Sequence, residues 1–525
     1  MKKALSLILA LIMALSLVAC GGDKGDSDAP AASGNDKPGT SEEAAEAKSL
    51  RVVMDTLLGN ADPTSQTGIS PRLFYWQVYE GLIHFDEKTG EVSGRVADSW
   101  EYADDMSYVD FHINPDVTFH DGSKVTAEDI LFSYDYHDAS GMFVGDLQNF
   151  TDWEIIDEET FRIYLAGATT IPMLSVSVIT ILSKANVEAA GADAFTTPET
   201  SIGTGAYKFA EMDFDGTTVI EAYADYFRGE ADIKTVEWVY LTDTSTSLVA
   251  FQTGEFDFIK LPTANVKEME ASGQYNVIHA ASTHNSFLGL NVQVIKDPLV
   301  RQAILYAVNN EQIMNAAYDG LGVVSSNMAE TGMVGGGYSF DDYYDYNPEK
   351  AVELLKQAGY TQAELDAGVP MGNIVAMSTN YYSKVATIVQ EMLMQVGLKF
   401  EVTTFEQATV EDLWYTQHST ECAIVCHGDN IMTDSVNFYT FYPLRDQHRP
   451  DVWGYSEKLY ELGGAAAAEY DDTARNELWK EFWTELKDSA VYYSLFHRDN
   501  MYISTKEVNP VMGVNYYRFY DWSWN

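Results

Sequence analysis

The residues best suited to chemistry lie in one stretch, Cys422-Ala423-Ile424-Val425-Cys426-His427-Gly428-Asp429. Two thiols, an imidazole and a carboxylate in so short a run are what nucleophilic, metal or haem chemistry draws on. The spacing narrows the choice. The run reads as a strand, on which residues four apart sit about 13 Å from one another, too far for a disulfide. Two free, packed thiols on one face are expected. Cys426-His427 closes a C-x-x-x-C-H run, one residue too long for covalent haem attachment. His427 beside Asp429 leaves a metal or metal chelate open as a ligand. The ten histidines are otherwise scattered, none paired at metal spacing on a helix. There is no G-x-S-x-G, S-x-x-K or H-E-x-x-H, and no Gly-Lys pair that would complete a P-loop. Gly335-Gly336-Gly337 does not follow a strand and open a helix, so it reads as a loop. With 79 Asp and Glu, spacing cannot single out an acid–base pair. The chain is expected not to be an enzyme, to carry no cofactor or resident metal, and to need another subunit for any ATP-driven step.

The elements that must position such residues read as mixed α and β. Alternating strands flank Asp213-Phe214-Asp215-Gly216, a hairpin turn signal. Asp297-Pro298 is an N-cap followed by a first-turn proline, and Leu299, Val300, Ala303, Ile304, Ala307 and Val308 form the apolar stripe behind it. Asn347-Pro348 repeats the device, with Gly359 closing that helix. Residues 473–490 read as an amphipathic helix with Leu478, Phe482 and Leu486 on one face. The chain has 525 residues, 46% of them hydrophobic and 13% aromatic, enough for two to four domains. A net charge of −47 excludes nucleic acid as a partner, since phosphate binding needs clustered Lys and Arg.

The N-terminus has its own chemistry. Lys2 and Lys3 precede an apolar run from Ala4 to Ala19, which is too short and too early to span a bilayer comfortably and reads as a signal peptide. Leu17-Val18-Ala19-Cys20 resembles the lipobox of bacterial lipoproteins, which implies cleavage before Cys20 and lipid on that cysteine. Residues 20–48 then form a lipidated tether. Beyond Cys20 it is polar and lacks large apolar residues, so it cannot bury a core. Its mean reach is roughly 30 Å.

The body of the chain resembles the extracytoplasmic solute-binding proteins of peptide-type ABC importers, the oligopeptide, dipeptide and nickel group. The motifs run in order: Glu80-Gly81-Leu82, Ala97-Asp98-Ser99-Trp100, Phe119-His120-Asp121-Gly122 and Thr126-Ala127-Glu128-Asp129. IGTGAYKF from Ile202, LVAFQTGEFDF from Leu248, DPLVRQAILYAVN from Asp297 and YNPEKAVELLKQAGY from Tyr346 follow. The resemblance implies an α/β, two-lobed periplasmic-binding-protein-like fold with an extra domain and a hinged cleft. Residues 49–85, 200–285 and 490–525 are expected to form lobe 1, residues 86–199 the extra domain packed on it, and residues 286–489 lobe 2. His120, Asp121 and Trp100 are expected to be structural.

The resemblance also implies a site. In peptide-binding members an aspartate after a lobe 2 strand receives the ligand's α-amine, and Asp429 falls on it, with Gly428 and Asn430 beside it. Val425, Cys426 and His427 are expected to offer main-chain groups to an extended peptide. Gly59 and Asn60 are the lobe 1 candidates. Tyr381, Tyr382 and Trp414 read as core aromatics. The arginine that clamps a dipeptide's carboxylate is missing, since Val375-Ala376-Met377 stands there; Arg445 is the alternative clamp, with a surface position weighed above it. The function implied is capture of a peptide on the outer face of the cell membrane, by a monomer held through lipid on Cys20. Delivery would be to an ABC permease with separate ATPase subunits. A nickel chelate, sugar or haem is the alternative ligand class, and a secreted cell-wall hydrolase a lower one.

Overall fold

The computed structural model describes residues 48–525 apart from 57, 67–68, 87–88, 90, 167–171, 281, 283, 330–337, 379–380, 418, 430–438, 440–455, 470 and 515. Cys20, Gly335–Gly337, Asn430 and Arg445 lie outside the described residues.

Local signals set many of the element ends. Asp297 Oδ1 accepts from Leu299 N at 2.9 Å and starts the helix Pro298–Tyr306. Asn347 Oδ1 does the same for Lys350 N at 2.9 Å, ahead of Pro348–Gln357. Thr126 and Asp129 form a reciprocal capping box at Ala127–Ser140, satisfying donors that a bare helix end leaves open. The Asp213–Gly216 turn closes as a hairpin, Gly216 N donating to Asp213 O at 3.2 Å between Tyr207–Glu211 and Thr217–Ala222.

Two large sheets organise the chain. The first has seven strands, in spatial order Asn276–Ala280, Asn500–Ser504, Phe258–Lys260, Ser49–Met54, Thr235–Tyr240, Thr217–Ala222 and Tyr207–Glu211. Ser49–Met54 is parallel to both of its neighbours, the arrangement that helical crossovers impose. The second has six strands, ordered Gly322–Val324, Tyr492–Arg498, Asn285–Leu290, Ile424–Asp429, Val369–Met377 and Leu398–Phe405. A separate four-stranded antiparallel sheet, built from residues between Ala97 and Leu165, lies in the segment expected to be the extra domain. The first sheet contributes to two apolar clusters, and the second and the four-stranded sheet to one each. The one around the second sheet holds Trp414, Trp479, Phe482 and Trp483, all buried, and each such side chain contributes about 1.5–3 kcal/mol through loss of water contact. Trp479, Phe482 and Trp483 come from the helix Asp472–Ser489, close to the expected 473–490.

One boundary differs from expectation. Residues from 490 onward were expected in lobe 1, yet Tyr492–Arg498 hydrogen-bonds into the second sheet, Tyr492 opposite Gly289 and Asn285 opposite His497. Only from Asn500 does the chain join the first sheet. Gly289 has no room for a side chain on this strand: a Cβ would lie 2.2 Å from the Trp414 ring.

Candidate functional site

The strand Ile424–Asp429 sits inside the second sheet. Ile424, Val425 and Cys426 pair on one side with Ile374–Ala376 and on the other with Leu288–Leu290. His427, Gly428 and Asp429 pair only with Asn285–Phe287 among the described residues. The expected peptide edge is therefore corrected. Val425 and Cys426 are flanked on both sides and buried, so they offer no edge for an added strand; Gly428 and Asp429 have a strand partner on one side only among the described residues.

His427 is 5% exposed, and its Nε2 lies 4.0 Å from Glu411 Oε1, on the helix Gln407–Glu411. The Phe287 and Tyr382 rings pack near it, at 5.7 and 6.4 Å between centroids. Gly428 is required by close approach: a Cβ there would lie 2.3 Å from Tyr382 Oη. Tyr382 in turn packs on Tyr381 at 4.3 Å, and both are buried, as is Trp414, in line with their reading as core. Asp429 ends the strand opposite Asn285.

The cysteines behave as packed residues. Cys422 and Cys426 are free and buried; burial pushes the Cys422 thiol up to about 12 and Cys426 higher still. Cys422 itself precedes the strand, which begins at Ile424. Among the described residues no three His, Cys, Asp or Glu side chains come together as a metal site. His120 is structural: its Nδ1 accepts from Gly203 N and its Nε2 donates to Gly205 O, both at 3.0 Å. Burial drops its pKa to about 4, so the ring is neutral at pH 7. Asp121 accepts from Ser123 N and Oγ, as a turn aspartate does.

Gly59 and Asn60 lie in the loop after Ser49–Met54. Gly59 has φ +82° with open space around it. Asn60 Oδ1 accepts from Asp62 N at 3.0 Å and Asn60 O from Tyr75 OH at 3.2 Å, so this side chain shapes its own loop. Neither residue hydrogen-bonds a described residue of 424–429.

Sequence reasoning missed a recess on the first sheet. It opens at the C-terminal ends of Ser49–Met54 and its parallel neighbours, the position where α/β sheets bind ligands. Asp55, Ser70, Trp238, Lys260, Tyr502 and Tyr517 line it. Burial is the largest single effect on Asp55 and opposes its charge, but Lys260 Nζ, 3.2 Å from Oδ2, together with the Thr56 hydroxyl and a main-chain donor, leaves the carboxyl below its ordinary value. The usable signal was Asp55 immediately after a strand of alternating apolar residues. A second missed feature is where the chain passes between the large sheets. There Arg498 N donates to His284 O at 2.9 Å, and Ser282 Oγ donates to Arg498 O.

This geometry belongs to a known class. Residues 91–447 match the model of the bacterial extracellular solute-binding proteins, family 5 Middle, and the chain belongs to that family. It is 26% identical over 483 residues to the dipeptide-binding protein of Escherichia coli K12, covering 82% of this chain and 88% of that protein. It is 26% identical over 372 residues to heme-binding protein A of Haemophilus influenzae, covering 63% and 65%. The ABC transporter substrate-binding protein CtaP of Listeria monocytogenes superposes with a TM-score of 0.78 at 19% identity, over 91% of this chain and 99% of that one, which bears out the two-lobed α/β fold. Members of the family are bacterial extracellular solute-binding proteins. Among the described residues no helix is long and apolar enough to cross a membrane.

Proposed function

We propose that this chain captures peptides outside the cell membrane and hands them to an ABC permease whose ATPase subunits are separate chains. Lipid on Cys20 holds it at the membrane, and residues 21–48 give the body its reach. Lobe 1 comprises 49–85, 200–285 and the segment from Asn500 onward, with 86–199 packed on it. Lobe 2 spans the second sheet, including Tyr492–Arg498. The two close on the ligand by hinge motion.

The observation that carries this reading is the strand ending at Asp429, whose last two residues, Gly428 and Asp429, have a strand partner on one side only among the described residues. An extended peptide added there gains main-chain bonds that ignore its side chains. Asp429 receives the free α-amine through a charge-assisted hydrogen bond of roughly 1.5–3 kcal/mol. The dipeptide-binding relative supports this ligand class; the heme-binding relative supports the alternative.

Calorimetry of Asp429→Asn tests the assignment. Peptide affinity falls about 10- to 150-fold with the melting temperature unchanged, and N-acetylated peptides bind wild type as weakly as free peptides bind the variant. Equal affinity of variant and wild type removes Asp429 from the site.

A further inference from the structure

We propose that the Arg498 guanidinium is the anchor for a carboxylate of the bound ligand, at the junction where the chain passes between the two sheets. The kind of ligand rests on the peptide-receptor reading; the site rests on Arg498 itself. Arg498 is the last residue of Tyr492–Arg498, and its main chain is fixed on both sides by Ser282 and His284. Its half-buried side chain lies over aromatic rings, Cζ being 4.9 Å from the Tyr381 centroid and 5.7 Å from that of Tyr318. Tyr381 packs on Tyr382, whose hydroxyl occupies the space beside Gly428. Two packed rings thus connect Arg498 to the strand that ends at Asp429.

What Arg498 lacks is an anion. Arg72 faces Asp146 at 3.2 Å, and Arg95 and Arg518 face Glu80 at 3.3 and 3.5 Å, whereas the buried Arg301 has no carboxylate but donates to the main-chain oxygens of Ile295, Lys296 and Ser489. Among the described residues no carboxylate pairs with Arg498, and its Nε is buried with no acceptor. His284 Nδ1, beside it, is also buried and unpartnered. Burial, with the charges of Arg498 and Lys260, lowers the pKa of that ring to about 3, so it adds no counter-charge. A partly desolvated guanidinium without a counter-ion is costly. The chain has 79 acidic residues against 32 basic ones, so a counter-ion was within easy reach of selection. A ligand carboxylate meets the guanidinium through two parallel hydrogen bonds, the geometry for which arginine is suited. It also supplies the carboxylate contact missing from Val375–Met377.

The test uses the mature body without its lipid, as wild type, Arg498→Met and Arg498→Lys. The probes are alanine peptides of two to six residues, as free acids, as C-terminal amides, and as amides carrying one aspartate. In wild type the free acid binds at least tenfold tighter than its amide if the carboxylate is the C-terminus. The aspartate restores binding to the amide if the source is a side chain. Either preference disappears in Arg498→Met and survives in part in Arg498→Lys. Ligand-free Arg498→Met melts at or above the wild-type temperature, because it loses an unpaired charge. Equal binding of all three probe types by wild type overturns the proposal. So does a preference that persists in Arg498→Met, or a ligand-free variant melting several degrees lower, which would mark a structural ion pair. If no peptide binds wild type, the peptide reading fails by itself. Arg498 is then tested with succinate: stabilisation of wild type that is lost in Arg498→Met upholds the anion site, and no stabilisation overturns it.

Discussion

Replacing Gly428 by alanine tests whether the second sheet and the aromatic layer beside the site are one packed unit. The new methyl carbon would stand 2.3 Å from Tyr382 Oη and 3.0 Å from its Cε1 and Cζ. Ordinary carbon–oxygen contact needs about 3.5 Å, so the phenol must retreat by roughly 1 Å. It has nowhere cheap to go. Tyr382 is 6% exposed and lies 4.3 Å from the Tyr381 ring. Overpacking of this kind costs about 1–3 kcal/mol. Urea unfolding followed by fluorescence measures the loss, and the double variant Gly428→Ala/Tyr382→Phe assigns it. Removing the hydroxyl removes the closest contact, so the double variant recovers at least half of the stability lost, beyond the sum of the single changes. Gly428→Ala within about 0.5 kcal/mol of wild type, or no recovery on removing the hydroxyl, refutes the packing argument.

Two further outcomes follow from burial. Cys422 and Cys426 are raised by burial, so neither thiol in protein lacking Cys20 reacts with a disulfide reagent at pH 8; both react in urea, and a native thiol that reacts within minutes contradicts their packing. His84 and His284 are lowered to about 3, and His120, His137 and His497 to about 4, with burial the largest cause for each. The unfolded chain takes up those protons near pH 6.5 and the folded chain only near 3–4. Stability is therefore complete above pH 6.5 and falls steadily toward pH 4; a melting temperature flat across that window contradicts neutral buried rings.

What the sequence disclosed was local. Asp297-Pro298, Asn347-Pro348 and the Asp213–Gly216 turn each act within four residues, so their chemistry is visible in a short window. The ordered motifs disclosed the family because several occur in register. What stayed hidden depends on distant pairing. Tyr492–Arg498 belongs to the second sheet because it meets Asn285–Gly289, about two hundred residues away, and nothing in its own alternation says which sheet receives it. The recess needs Asp55 and Lys260 together, which the parallel register Val52 to Phe258 provides. Val425 and Cys426 looked available as main chain because a sequence does not show that both sides of a strand are taken. Arg498 was unremarked because an unpaired guanidinium is a property of its surroundings.

The central claim is that the cleft holds peptides. Native mass spectrometry of the body purified without Cys20, before and after mild denaturation, tests it most directly. The expected result is a set of co-purified masses that fragment as peptides with free N-termini and are released when the protein unfolds. A single non-peptide mass, or a metal retained by wild type and lost in His427→Ala, contradicts it.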